Sequence, residues 1–295
     1  MASAGLNIAN AFGLDPIEVK VEWGRAVKVD VVEKQLEAPS GHSKRHDPGE
    51  RDLNHGAPSG KGNCKANEER DHCFSSMVSR PWECFPYPST NGASMRWSRG
   101  SQKALMLPPG LGFIALQRAA PGERPRKPSC LASISTSISN ARIRQRGSGA
   151  FTPAVSLIFG LRASLNMMAR EGFDRVYARH ARMARATRAA ATAMGLKLLA
   201  PDSPSPAATG IFLPKGLDAD KVLDYLRDQM GVILAEGQDQ LKGKAIRIAH
   251  VGYMGAFDVI TAIAALEMAL RKFGAEIPFG RGVAAAQEVL MEALN

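Results

Sequence analysis

GSQKALMLPPGLGFIAL, residues 100–116, decides how the chain is read. Lys103 follows the small and polar Ser101 and Gln102. It precedes an apolar run interrupted by Pro108-Pro109-Gly110. A solvated helix face does not carry this pattern. The apolar run predicts that Lys103 lies beside a packed strand. There, loss of hydration lowers an ammonium pKa and leaves an amine able to condense with a carbonyl. From physical chemistry alone, a lysine at a strand edge is the commoner outcome, because buried reactive lysines are rare.

Downstream, residues 150–295 are well formed. Helical periodicity runs over about 155–170 and stops at Gly172, then resumes over 173–194 and stops at Gly195. LKLLAP (196–201) and TGIFLP (209–214) read as strands around a Ser/Pro turn. DADKVLDYLRDQMG is amphipathic, with Val222, Leu223, Leu226 and Met230 on one face. VILAEG and AIRIAHVG (245–252) are further strands. FDVITAIAALEMALRKFG and VAAAQEVLMEAL are helices. Strands alternating with helices indicate an α/β or α+β layer domain of about 140 residues, large enough for its own core.

Upstream, residues 5–38 also read as α/β sequence: a short helix at 6–13, an alternating strand at 17–23, and a helix at 29–38. Between 39 and 99 the character changes. His42, His46, His55 and His72 fall there, with Cys64, Cys73 and Cys84, among scattered Gly, Pro, Ser and Asn, and no period survives. A structureless stretch of that length inside a compact domain is unusual. Pattern fails again over about 121–149. The chain carries +10 net charge. Much of that excess lies between 117 and 149, where Arg118, Arg124, Arg126, Lys127, Arg142, Arg144 and Arg146 face Glu123 alone. The charge therefore marks an irregular segment rather than a nucleic-acid surface.

With its quoted context, the Lys103 segment resembles the cofactor-lysine segment of class V pyridoxal-phosphate aminotransferases, above all the serine–glyoxylate and alanine–glyoxylate branch. FTPAVSLIFGLRASLNMM (151–168) resembles the opening of that family's small domain. KGKAIRIAHVGYM (242–254) resembles its substrate-carboxylate strand, and GLDPIEVKVEWGRAVKVDVVEKQL (13–36) a strand and helix of its large domain. The resemblance covers about two thirds of the chain. It implies the α/β pyridoxal-phosphate transferase fold with a smaller C-terminal α/β domain. It also implies amino transfer from serine or alanine to glyoxylate or another 2-oxo acid, with pyridoxal 5'-phosphate as cofactor. By the same resemblance, Lys103 would hold the cofactor covalently and move a proton at the substrate α-carbon. Ser101 and Gln102 would flank the cofactor ring. Thr152 would reach the phosphate belonging to a neighbouring subunit, which implies a homodimer. Arg247 would grip the substrate carboxylate with its planar fork. Read without the family, Arg247 is a solvent-facing strand arginine.

Some family features are not found. The glycine-rich phosphate cradle and the ring-stacking aromatic belong to a region ahead of residue 1, so the chain reads as N-terminally truncated. The aspartate facing the pyridine nitrogen and a preceding His/Ser/Thr stretch should fall within 39–99, and neither is present there. Codon degeneracy offers a reason. Read from the third base of the Ser76 codon, SMVSRPWECFPYPSTNGASMRWSR can yield DGVSSLGMLPLPVDEWGVDAVVA, the aspartate strand running into GSQK. From the third base of Ser129, SCLASISTSI can yield LPRFYFDI, like the segment that follows the lysine. Residues 39–99 and 121–149 then read as out-of-frame translation. The expected organisation is a large-domain remnant over 1–120, an irregular connector over 121–149 and a small domain over 150–295. A non-catalytic remnant is the competing functional reading.

The remaining signals are weaker. His55, Cys64, Cys73 and Cys84 lack metal-ligand spacing, so no metal is expected. Arg170, Arg175, Arg179, Arg182, Arg185 and Arg188 read as a solvated helix face. Met167 and Met168 read as core. Four cysteines, no secretory signal and no run of about 20 apolar residues point to a soluble cytoplasmic protein.

Overall fold

The computed structural model describes residues 95–116 and 152–292, with 74–76 and isolated positions between 11 and 31. The N-terminal helices and strand, the four cysteines, four of the histidines and the basic connector lie outside the described residues.

Strand β1 (Phe74–Ser76) runs parallel to β2 (Met95–Gly100), and β2 pairs antiparallel with β3 (Gly112–Leu116). β1 and all but the last residue of β2 fall within the stretch 39–99, whose sequence shows no strand period. A neighbour's backbone ladder holds a strand without side-chain alternation, which explains the difference. The β2–β3 register ends at Gly100 opposite Gly112, so residues 101–111 form a loop projecting from the end of the ladder.

Helix α1 (Val155–Glu171) and helix α2 (Phe173–Ala193) meet at Gly172. The φ of Gly172 is +90°, a conformation that favours glycine and turns the chain sharply between the two helices. A four-stranded antiparallel sheet follows, in the order β4 (Lys197–Leu198), β5 (Ala208–Phe212), β7 (Ala245–Ala249), β6 (Ala235–Glu236). Helix α3 (Ala219–Met230) lies between β5 and β6 in the chain. Helices α4 (Ala256–Lys272) and α5 (Arg281–Met291) follow β7. These elements reproduce the expected order within a few residues at each end. The expected strands shorten most, because β4 and β6 pair over two residues each.

The core of this domain joins sheet to helices. Ile211, Ile246 and Ile248 from β5 and β7 bury against Met183, Ala186 and Ala190 of α2 and Val259, Ile263, Leu266 and Leu270 of α4. Each large side chain so buried contributes about 1.5–3 kcal/mol. On β7, Ile246 and Ile248 are buried and the intervening Arg247 is half-buried on the other face. A second cluster, Leu105, Leu107, Met168 and Val176, pins the 101–111 loop to α1 and α2.

The arginine run on α1 and α2 is not one solvated face. Arg170, Arg175 and Arg185 are exposed, but Arg179 is four-fifths buried and Arg188 is half-buried. Arg182 donates through Nη1 to the Glu292 carbonyl. Helical spacing places these residues on one stripe, but what packs over the stripe comes from distant segments. The methionine pair also divides: Met168 is core and Met167 is 45% exposed. No described helix is long and apolar enough to cross a membrane.

Candidate functional site

The loop carrying Lys103 is closed from within. Ser101 is fully buried, and its hydroxyl donates to the Pro108 carbonyl at 2.8 Å and accepts the Leu111 N–H at 3.3 Å. The Ser101 N–H donates to the Leu111 carbonyl, and the Leu107 N–H to the Ser101 carbonyl. Ser101 therefore ties both ends of the loop together. A tight turn follows, in which the Met106 N–H donates to the Lys103 carbonyl at 3.1 Å. Met106 sits at φ +58°, a left-handed conformation that costs a non-glycine residue about 1 kcal/mol or more. Packing holds it there. Ala104, Leu105 and Leu107 are buried, and Ser164 of α1 donates to the Leu105 carbonyl at 2.6 Å.

Gln102 and Lys103 are exposed at the surface of this loop. The desolvated lysine expected from the apolar run is therefore not seen among the described residues. The run buries Ala104, Leu105 and Leu107, and the turn leaves the Lys103 side chain outside. Thr152, two residues ahead of the α1 cap residue Ala154, is also exposed.

Arg247 lies on β7, an interior strand of the four-stranded sheet, between β5 and β6. Its paired neighbours are Gly210 on β5 and Ala235 on β6, so small residues flank it on both sides. Its Nε donates to the Glu236 carbonyl at 2.8 Å, which fixes the plane of the guanidinium. Among the described residues, Nη1 and Nη2 have no other partner. An arginine held through Nε with its outer edge free is suited to a carboxylate.

The segment after β7 brings the two regions together. Gly252, five residues beyond Arg247, lies at φ +88° against the lysine loop. A β-carbon there would stand 3.3 Å from the Lys103 carbonyl and 3.5 Å from Met106 Cγ. Arg179 of α2 donates from Nη1 to the carbonyls of Gly252 (3.1 Å) and Met254 (2.7 Å). From Nε and Nη2 it donates to both carboxylate oxygens of Glu171, at 2.6 and 2.9 Å. That ion pair holds the Glu171 carboxyl below the usual carboxylate range. His180 is fully buried and its Nε2 accepts the Gly252 N–H at 3.1 Å. Burial pushes its pKa down to about 4. His250 is likewise buried, with Nε2 3.1 Å from the Thr209 hydroxyl oxygen, and burial lowers it to about 4. A cleft of about 380 Å³ opens at this junction, lined by Met106, Met167, Met168, Met254, Glu171 and Arg179 among others.

Sequence patterning did not single out Glu171, His180 or Gly252. Glu171 and Arg179 are eight residues apart across a helix break, so no i,i+4 signal links them. Gly252 is one of ten glycines with positive φ among the described residues. No metal-binding group of three or more His, Cys, Asp or Glu side chains occurs among the described residues.

No protein-family model matches the chain. Serine–glyoxylate aminotransferase of Methylorubrum extorquens is 33% identical over 304 aligned residues, covering 97% of this chain and 74% of that protein. The small subunit of a soluble hydrogenase from a Synechococcus species is 39% identical over 197 residues, 66% of this chain and 50% of that one. Among solved structures, pyridoxamine–pyruvate aminotransferase from Mesorhizobium loti superposes with a TM-score of 0.57 at 32% identity, over 67% of this chain and 52% of the other. The chain spans about half the length of several relatives it matches. With a serine–glyoxylate aminotransferase aligned over 97% of this chain at 33% identity and a shared fold with a related aminotransferase, the chain belongs to the class V aminotransferase family of the serine–glyoxylate and alanine–glyoxylate type.

Proposed function

We propose that this chain carries the lysine and carboxylate-binding half of a pyridoxal-phosphate aminotransferase that moves an amino group from serine or alanine to glyoxylate or another 2-oxo acid. The observation that carries the reading is the junction at Gly252. There the Lys103 loop rests against the segment that continues from the strand of Arg247. The residues present suit this chemistry in two respects: Lys103 offers the cofactor an exposed amine, and Arg247 offers the substrate carboxylate a guanidinium edge without a partner among the described residues. Pyridoxal phosphate, when bound, supplies the electron sink for bond breaking at the amino-acid α-carbon. Lys103 would hold the cofactor through Nζ and then, as a free amine, accept and return the α-proton. Arg247 would orient the substrate through its carboxylate, fixing which α-bond faces Lys103. Ser101 acts through the loop, whose ends its hydroxyl ties, and Gln102 lies beside Lys103 where it can flank the ring.

Thr152 is assigned to the phosphate of a neighbouring subunit, and the functional unit to a cytoplasmic homodimer. Helix α1, which begins just after Thr152, exposes Val155, Ile158 and Phe159, apolar surface of the kind an interface covers. A second reading is favoured by the missing aspartate and His/Ser/Thr stretch. On that reading, residues 39–99 and 121–149 are out-of-frame translation, and the chain is a remnant that folds over 150–295 without turnover.

The test is a visible absorption spectrum of the purified chain with pyridoxal phosphate, beside Lys103→Ala. A protein-bound band that is lost in the variant and shifted by serine or alanine supports the enzyme. Folded protein with no Lys103-dependent band leaves the remnant.

A further inference from the structure

We infer that Glu171, Arg179 and His180 form a positioning clamp that couples the strand of Arg247 to the Lys103 turn through the backbone of residues 252–254. The catalytic part of this inference rests on the function proposed above; the mechanical part does not.

The connections run through named atoms. Arg179 spends Nε and Nη2 on Glu171, across the α1–α2 elbow, and Nη1 on the carbonyls of Gly252 and Met254. His180, the next residue, accepts the Gly252 N–H. Both polar groups of the Gly252 backbone are therefore held by adjacent residues of one helix. A lysine has no planar fork with which to make all four bonds of Arg179 at once. Gly252 in turn lies directly against the Lys103 carbonyl and Met106. Met106 is the non-glycine residue at φ +58°, and such a conformation persists only where its surroundings over-determine it. Gly252 is one wall of those surroundings, and Arg179 and His180 hold that wall in place. Releasing the wall lets Met106 relax toward an ordinary conformation and opens the Met106–Lys103 hydrogen bond. Lys103 and Arg247 then lose their fixed relation. The bonds of Glu171, Arg179 and His180 run to one another and to the 252–254 backbone, so each acts by position.

Hydrogen exchange on the full chain, without cofactor, tests the mechanical part. In Arg179→Met, amides of both 247–255 and 101–107 should exchange about tenfold faster or more, while the sheet core and α5 stay protected. The double variant Glu171→Arg/Arg179→Glu restores an ion pair across the elbow but cannot donate to the Gly252 and Met254 carbonyls. It should exchange as fast as Arg179→Met. Arg179→Lys, which can still donate to a carbonyl, should recover part of the protection at both segments. The clamp is overturned if the charge swap restores protection fully, or if acceleration stops at 247–255 and leaves 101–107 unchanged. Loss of protection across the whole domain in every variant, Arg179→Lys included, would mean a fold defect and also overturns it. If the wild-type chain shows the Lys103-dependent band, the charge-swap variant should keep that band but lose turnover by about 100-fold, as a misplacement near 1 Å would produce. If the wild-type chain lacks the band, the proposed function fails and the exchange result still decides the clamp.

Discussion

Two buried histidines set a pH limit on this protein. His180 and His250 are both fully buried, and burial is the leading cause that lowers each to about 4 from an ordinary 6.5. For His250 the charge of Arg188 adds to the shift. Both are neutral in the folded chain and bind protons more readily once unfolded. Their contribution is therefore fully present above pH 6.5 and declines as pH falls from 6.5 toward 4. At about 1.4 kcal/mol per pKa unit, the loss is about 3 kcal/mol for each histidine. The urea midpoint should accordingly fall steeply over that interval. In His250→Gln the fall should be about half as steep, and an unchanged slope would show that the buried imidazoles are not its source. Lys103 teaches a related lesson. Its apolar followers predict a buried amine, yet Ala104, Leu105 and Leu107 turn inward and the Lys103 side chain stays exposed. The sequence pattern misjudges this environment, because the tight turn closed by the Met106 N–H on the Lys103 carbonyl sends Ala104 and Leu105 inward and leaves the Lys103 side chain outside.

At the scale of elements, helix α3 shows how local chemistry sets boundaries. Asp218 accepts the Asp220 N–H at 2.9 Å at its start. Gly231, at φ +68°, closes its end by donating to the Arg227 and Leu226 carbonyls. Val222 and Leu226 face the core and Lys221 and Asp228 the solvent. Each of these signals lies within DADKVLDYLRDQMG itself, so the helix is legible in the sequence. Asp218→Ala should destabilise the chain by about 1 kcal/mol, measured by urea unfolding, with no change in the Lys103 loop. The two-residue strands β4 and β6 illustrate the opposite case. Their lengths are fixed by where β5 and β7 offer partners, not by their own residues. The same holds for β1 and β2, which lie in sequence without strand period and exist through pairing with each other and with β3.

At the scale of the whole molecule, the two core clusters make separate demands. The larger, built from α2 to α5 and the four-stranded sheet, lies entirely within residues 150–295. The smaller joins Leu105 and Leu107 to Met168 and Val176 and needs the loop from the earlier half. A chain of residues 152–295 should therefore unfold in a single cooperative thermal transition, at lower temperature than the full chain. Met168→Ala should cost about 2–5 kcal/mol in the full chain and clearly less in the fragment, whose Met168 has lost Leu105 and Leu107. Equal cost in both would show that the lysine loop does not pack on α1 in solution.

By itself, the sequence determined the family resemblance and the helix order of the C-terminal domain. Those features are local. Periodicity, caps and a 17-residue signature are each written in neighbouring residues. Only the tertiary structure decided that Arg179 leaves its helix stripe to hold Gly252, that Ser101 turns inward to close the loop, and that Gly252 stands against Lys103. Each of these joins residues whose partner is fixed by packing of the intervening chain. A hydrogen bond across 73 residues leaves no spacing for a sequence to show.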